Sequence, residues 1–128
     1  MELGIERFEM KENVIQDKSY TFALRIIKLY KYMVDDKKEY VLSKQILRCG
    51  TSIGANIEEA IAGQSKKDFN SKMYIAFKEA RETHYWLRLL RDSHFLTEKE
   101  SESLFKDNIE IVKLLSSITL TMKETLRK

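Results

Sequence analysis

Few residues in this sequence could carry catalytic or metal chemistry. The two histidines are His84 and His94, and the one cysteine is Cys49. A di-iron site in a helical bundle needs Glu-x-x-His pairs on two helices, but an arginine stands three residues before each histidine. The chain also contains no H-E-x-x-H, no cysteine-pair zinc motif and no glycine-rich phosphate loop. These absences predict a protein that is not an enzyme and holds no metal and no cofactor.

Three polar residues call for partners inside the fold: Asn56, Glu59 and Glu82. Asn56 flanks the apolar seam of its predicted helix, and the two glutamates lie further round theirs. A partly buried carboxylate requires hydrogen-bonding or cationic partners, because removing its charge from water is costly. We therefore predict inter-helix or inter-subunit hydrogen bonds for these residues, and a general acid or base is the alternative. For Cys49 we predict a small buried residue at a helix contact, with a reactive thiol as the alternative.

The basic residues suggest a second kind of chemistry, the binding of phosphates. The net charge is +3, but two cations face five acids in residues 1–17, so the remainder carries +6. Lysines recur every seven residues in the last predicted helix, and one side of the first predicted helix is basic. The candidate phosphate-binding residues are Lys99, Lys106 and Lys113 in the last helix and Arg25, Lys28 and Lys31 in the first. A solvated face, partly neutralised by neighbouring glutamates, is the simpler interpretation of the lysine stripe.

The elements that must position these residues are helices. Proline is absent and there are only four glycines, which suits long uninterrupted helices better than strands joined by tight turns. Apolar residues at spacings of three and four predict helices over about 17–35, 41–63, 66–93 and 98–126. Residues 1–13 read as a mobile or loosely docked arm, and 14–128 as one domain. Short connections between four helices predict an all-α, antiparallel up-down-up-down four-helix bundle.

Gly50 and Gly54 stand inside the second predicted helix, where each costs about 1 kcal/mol of helix stability relative to alanine. At 100° per residue, both fall on the face shared by Ile46, Ile53 and Ile57. We therefore predict that a neighbouring helix approaches closely at these glycines.

The outer side of the third predicted helix is unusually apolar. It carries Ile75, Tyr85, Trp86 and Leu89, which include the only tryptophan. A four-helix bundle buries one stripe per helix, so large apolar residues on the opposite side indicate a second buried surface. We predict that these residues form an interface between subunits.

The stretch LSKQILRCGTSIGANIEEA, followed by SKKDF and IAFKEARETHYWLRLL, resembles a known family. These segments, and KSYTFALRIIKLYKYM before them, are similar to four-helix bundle proteins encoded in intervening sequences of bacterial 23S rRNA genes. The resemblance covers roughly residues 14–125, and its most specific part is Ser-Ile-x-x-Asn-Ile-x-Glu, from Ser52 to Glu59. Many members have glycine where this chain has Ala60. A related member is the accessory variability protein of diversity-generating retroelements, which binds nucleic acid and a reverse transcriptase.

The resemblance implies a homopentameric barrel of four-helix bundles.

No run of 18 apolar residues occurs, and residues 1–15 lack the apolar block of a signal peptide, so we expect a cytoplasmic protein that does not enter a membrane. We expect it to bind itself, and to bind RNA or DNA through backbone phosphates in a salt-dependent manner. The alternative is a protein-interaction scaffold with no nucleic-acid binding of its own.

Overall fold

Four helices account for almost the whole chain. The structure, a computed structural model, describes the backbone of residues 2–127 and the side chains of residues 8–127. Over this range the helices are α1 (Glu2–Asp35), α2 (Leu42–Ile61), α3 (Lys66–Asp92) and α4 (Glu98–Arg127), and there is no strand. Each helix packs against the next one in the chain, and α1 also packs against α4. The prediction of an all-α fold of four helices is therefore confirmed.

The helix α1 begins at Glu2, well before the predicted start at about residue 17. Residues 2–13, for which a mobile or loosely docked arm is predicted, are helical, and the buried seam of α1 extends back to Phe8. Phe8, seven residues before the fully buried Ile15, packs against the core, and its ring centroid lies 5.6 Å from that of Phe69 on α3. Lys11 Nζ donates to Ser117 Oγ of α4 at 2.7 Å. The many charges of this segment had concealed a continuous helix.

Side chains cap the starts of α3 and α4. Ser65 Oγ accepts a hydrogen bond from the Asp68 N–H at 3.0 Å. Thr97 Oγ1 accepts from the Glu100 N–H at 3.1 Å, while Glu100 Oε1 accepts from the Thr97 N–H at 2.9 Å. These contacts satisfy backbone donors that have no partner within the first turn.

The start of α2 is capped by a residue outside the helix. The Glu39 carboxylate accepts from three consecutive backbone N–H groups, at 2.7–3.0 Å: those of Val41, Leu42 and Ser43. Burial raises the pKa of Glu39, but the three backbone donors outweigh it and hold that pKa below its ordinary value. The turn between α1 and α2 is therefore fixed by one ionised carboxylate.

The two glycines of α2 lie against α1, as their spacing predicts. A Cβ atom built on Gly50 would lie 2.8 Å from Cγ1 of the fully buried Ile26. A Cβ atom on Gly54 would lie 3.5 Å from Ser19 Oγ and 3.6 Å from the Ser19 carbonyl oxygen, which is ordinary contact. The predicted close approach is confirmed, and Gly50 is the tighter of the two positions.

A few polar groups are enclosed between the helices. Cys49 is fully buried, as predicted, and its Sγ lies 3.2 Å from Thr83 Oγ1 of α3. Asn108 of α4 is also fully buried, and its Nδ2 donates to the Ala80 carbonyl oxygen of α3 at 3.1 Å. A polar side chain in a helix seam favours the one alignment in which it finds its partner. Asn108 therefore helps to set the alignment of α4 against α3.

Because Cys49 is buried, the free energy of unfolding is expected to fall at alkaline pH. Burial raises the pKa of the Cys49 thiol from its ordinary 9.0 to about 11. Because the raised pKa belongs to the folded state, its contribution to stability is complete below about pH 9 and is lost as pH rises towards 11. This loss amounts to roughly 2–3 kcal/mol. Denaturant unfolding between pH 7 and 11 should show the stability advantage of the wild type over Cys49→Ala shrinking by that amount. If the free energies of unfolding of wild type and Cys49→Ala changed with pH by the same amount, this prediction would be contradicted.

Candidate nucleic-acid interface

Arg25, one of the predicted phosphate-binding residues, already has a carboxylate partner. Its guanidinium forms an ion pair with Asp107 of α4 and donates to Ser103 Oγ at 2.9 Å. Lys18, two turns earlier on α1, pairs with Glu110 of α4 at 2.9 Å. Cations of α1 thus bind acids of α4 along the α1–α4 contact. Arg25 is part of this contact, and binding a phosphate would require it to leave Asp107.

The α1–α4 contact is rich in acids. A cavity of about 190 Å³ lies between these helices. Its charged lining is one lysine, Lys18, and three carboxylates, those of Asp17, Asp107 and Glu110, and Thr21 and Ile111 complete it. Lys28 lines a separate hollow that it shares with Glu100, and Lys31 is exposed. A polyanion approaching this side of the bundle would meet carboxylates as well as cations, so it offers a poor phosphate site.

The lysine stripe of α4 is divided by the fold. All three lysines are exposed, but only Lys113 also lines a cavity between α3 and α4. The hydrogen bond from Lys18 lowers the pKa of Glu110, and the charges of Lys106 and Lys113 add to this effect. The positive charge of the lysine stripe is therefore partly neutralised by Glu110 of the same helix, in line with the simpler interpretation of a solvated face.

A stronger concentration of positive charge lies between α3 and α4. Two adjoining cavities of about 500 and about 400 Å³ share His84, Arg88 and Ile109 in their walls. We call this surface the basic groove. Two carboxylates, Glu98 and Glu102, line its larger cavity, and the other residues that define it are Arg81, His84, Arg88, Arg91, Ser101, Phe105, Ile109, Val112 and Lys113.

The basic groove differs from the other helix contacts in its ion pairs. Among residues 8–127, ion pairs join α1 to α4 and α2 to α3, but none joins α3 to α4. Arg91 pairs with its neighbour Asp92 at 2.8 Å and lies 4.9 Å from the Phe105 ring centroid. Arg81 and Arg88 are exposed and have no carboxylate partner within the described side chains. These two arginines are therefore available to an anion from solution.

His84 lies in the basic groove, with its ring edge-on to that of Phe105 at a centroid distance of 5.3 Å. Burial lowers the pKa of His84, and the charges of Arg88, Arg81 and Arg91 lower it further. The imidazole is therefore neutral at neutral pH, where it can both donate and accept a hydrogen bond.

The arginines of the basic groove could have been found from the sequence. Arg81 and Arg88 are seven residues apart, as are His84 and Arg91, which is the same spacing that drew attention to the lysines of α4. Their own helix carries acids nearby, and only the structure shows that those acids, Glu79 and Glu82, face α2 instead.

The polar residues Asn56, Glu59 and Glu82 have different kinds of partners. Glu82 forms an ion pair with Arg48 of α2 and accepts from Trp86 Nε1 at 2.9 Å. Glu59 pairs with Lys72 of α3 at 3.1 Å. Asn56 Nδ2 instead donates to the Ser52 carbonyl oxygen of its own helix at 2.8 Å. The two carboxylates thus tie α2 to α3, whereas the bond of Asn56 is not between helices.

The predicted subunit interface on α3 is not uniformly exposed. Ile75 and Tyr85 are 38% and 46% exposed, but Leu89 is less exposed than either and Trp86 packs partly against the core of its own bundle. Large apolar residues are also exposed on α1, a surface outside the predicted set: Tyr20 at 66%, Leu24 at 48% and Ile27 at 37%. Apolar surface is therefore available on at least two helices.

Two further features of the described residues bear on other classes of function. No group of three or more histidine, cysteine or acidic side chains among them is placed to hold a metal ion. Within the same part of the chain, no helix has a segment long and apolar enough to cross a bilayer.

Comparison with known proteins gives a consistent result. The sequence model of the family described as 23S rRNA-intervening sequence protein matches residues 11–117. The chain is also similar to a solved structure from Bacteroides thetaiotaomicron VPI-5482, described as a protein with unknown function from the S23 ribosomal protein family. The two share 56% identity with a TM-score of 0.84, over 85% of this chain and 97% of that one. No curated protein matches.

Proposed function

This chain belongs to the family of 23S rRNA-intervening sequence proteins, and on that premise we propose that it is a non-enzymatic, oligomeric helical bundle that binds RNA or DNA. Binding would occur through backbone phosphates. It would therefore depend little on base sequence and fall steeply with added salt.

The observation that carries this proposal is the chemistry of the basic groove. Arg81, Arg88 and Lys113 line one cavity, and none of the described side chains around that cavity is a carboxylate. Arginine presents a fork of donors suited to phosphate oxygens, and a cluster of unpaired cations raises the local concentration of a polyanion. The α1–α4 side supports the proposal less, because Arg25 there is bound by Asp107.

The proposal is tested by comparing two variants of equal charge. Arg81→Gln/Arg88→Gln removes the exposed arginines of the basic groove, whereas Lys99→Gln/Lys106→Gln removes two exposed lysines of α4. With a labelled structured RNA, fluorescence anisotropy should show roughly 10- to 100-fold weaker binding for the arginine variant. The slope of log affinity against log salt should fall by about 1.4 to 1.8 in magnitude.

The lysine variant serves as the control for net charge and should weaken binding much less. Equal losses in the two variants would mean that overall charge, and not the basic groove, attracts the RNA. Affinity that is unchanged in the arginine variant would contradict the assignment of the groove. Both variants alter exposed residues, so circular dichroism should show wild-type unfolding temperatures.

For the assembly we propose a homopentamer in the cytoplasm. The family resemblance supports the number of subunits, and the exposed apolar residues of α1 and α3 support association in general. The buried, unpaired Cys49 suits a reducing compartment. Light scattering should give a mass near five chains, rising when RNA is added at low salt only. A monomer would contradict the assembly.

A protein-interaction scaffold is the second candidate, favoured by the exposed Tyr20 and Leu24 on α1. A scaffold would retain one protein partner in a pull-down at high salt and after nuclease treatment, whereas the nucleic-acid-binding proposal expects nuclease to remove co-purifying material.

A further inference from the structure

The floor of the basic groove is apolar and aromatic, which the binding of phosphates alone would not require. Phe105 is half-buried with its ring next to that of His84, and Ile109 beside them is 40% exposed. The adjoining cavities of about 500 and about 400 Å³ fall within the range of small-molecule sites, roughly 300–1,000 Å³. A planar apolar group lying on this floor would remove apolar surface from water.

The charges of the groove are divided between its two ends. Arg88 lines both cavities. Arg81 and Lys113 join it in the cavity without carboxylates, whereas the cavity that contains Phe105 also has Glu98, Glu102 and Arg91, and Arg91 is paired with Asp92. The first end suits a phosphate. The second end disfavours a phosphate, but its glutamates can accept hydrogen bonds from an amino group. One molecule that combines an anion with a planar, amino-bearing ring is a nucleotide.

The aromatic end is held in place by contacts already made within the bundle. The Arg91 guanidinium lies 4.9 Å from the Phe105 ring centroid while its Nε donates to Asp92 at 2.8 Å. His84 packs edge-on against the same ring at 5.3 Å. Aromatic rings and guanidinium planes are the usual surfaces on which proteins stack unpaired bases. Such a site loses little side-chain freedom on binding.

We propose that the basic groove binds single-stranded nucleic acid, with one unpaired base against Phe105 and His84 and a neighbouring phosphate on Arg81 and Arg88. This inference rests on the proposed function and makes it specific for unpaired segments. In a duplex the base faces are stacked on one another and cannot reach a floor between two helices. Bases with an exocyclic amino group, such as adenine, should bind best because of Glu98 and Glu102.

The test uses three ligands: a six-nucleotide adenylate RNA, an abasic hexamer with the same phosphates, and a duplex of the same strand length. Wild type should bind the adenylate about tenfold more tightly than either the abasic strand or the duplex. Phe105→Leu, which retains an apolar side chain, should weaken adenylate binding by a similar factor and leave abasic binding unchanged. Tyr20→Leu removes an exposed aromatic ring of α1, which lines neither cavity of the groove, and should change neither.

The outcomes separate this inference from the proposal on which it rests. Equal, salt-dependent binding of adenylate, abasic strand and duplex would overturn the base site and leave phosphate binding intact. No binding of any ligand at low salt would overturn both. A Phe105→Leu variant that loses adenylate and abasic binding alike would show a structural role only, and would overturn the stacking contact. The comparison of ligands on the wild type needs no variant and is decisive if Phe105→Leu does not fold.

Discussion

Replacing Gly50 with alanine is expected to lower the free energy of unfolding by up to about 2 kcal/mol, although alanine is the better helix former. The new Cβ would lie 2.8 Å from Cγ1 and 2.9 Å from Cγ2 of Ile26, closer than real contacts allow. Ile26 is fully buried and β-branched, so its side chain cannot turn aside easily. Overpacking of this kind costs about 1–3 kcal/mol, which exceeds the gain of about 1 kcal/mol in helix propensity.

Gly54→Ala is the matched control, four residues along the same helix. Its Cβ would lie 3.5–3.7 Å from Ser19, an ordinary contact distance, so the gain in helix propensity should remain. We expect this variant to be more stable than wild type by up to about 1 kcal/mol. Gly54→Leu, by contrast, should destabilise the bundle, because the longer side chain has to displace the α1 backbone.

Denaturant unfolding monitored by circular dichroism measures all three variants. Opposite signs for the two alanine variants are the expected result. If both variants gained stability, the α1–α2 contact would be looser at Gly50 than the structure indicates. If both lost stability, the distinction between side-chain overlap at Gly50 and ordinary contact at Gly54 would be wrong.

The second large effect is expected at Trp86, and it should be a loss of stability within one bundle. Trp86 packs against the core, and its Nε1 donates to Glu82 at 2.9 Å. Truncating a large aromatic residue in a core costs about 3–5 kcal/mol, and because Trp86 is only partly buried we expect about 2–4 kcal/mol for Trp86→Ala. Trp86→Phe keeps most of the apolar contact and should cost about 1 kcal/mol for the lost hydrogen bond.

Tyr85→Ala is the neighbouring control, since Tyr85 is 46% exposed and should cost little within the bundle. Unfolding measured at several protein concentrations separates packing from association. A stability loss for Trp86→Ala that does not change with concentration would assign Trp86 to the core. A loss that disappears on dilution would return Trp86 to the subunit interface predicted from the sequence.

Much of the fold follows from local patterns in the sequence. The spacing of apolar residues places α2, α3 and α4 close to their observed bounds, because that spacing decides which face of a helix is buried. Ser65 and Thr97 mark helix starts, since a cap bonds to backbone groups only three residues away. Gly50 and Gly54 reveal a close helix contact, because only a missing side chain would justify their cost in α2.

Local patterns were insufficient where a charged segment or a distant residue decides the structure. The start of α1 was misread because its many charges masked Phe8, whose burial depends on Phe69 from α3. The cap of α2 was missed because Glu39 reaches forward from the preceding turn. In both cases the stabilising partner lies outside the helix being read.

The candidate site shows most clearly which features follow from the sequence and which depend on the tertiary structure. The sequence alone determined that this chain forms long amphipathic helices with cations on their outer faces. Only the tertiary structure decided that Arg25 meets Asp107 of α4, whereas Arg81 and Arg88 remain without a carboxylate partner among the described side chains. The physical reason is that periodicity fixes the angle of a residue around its own helix, but the charge facing it depends on which helix packs alongside and in what alignment.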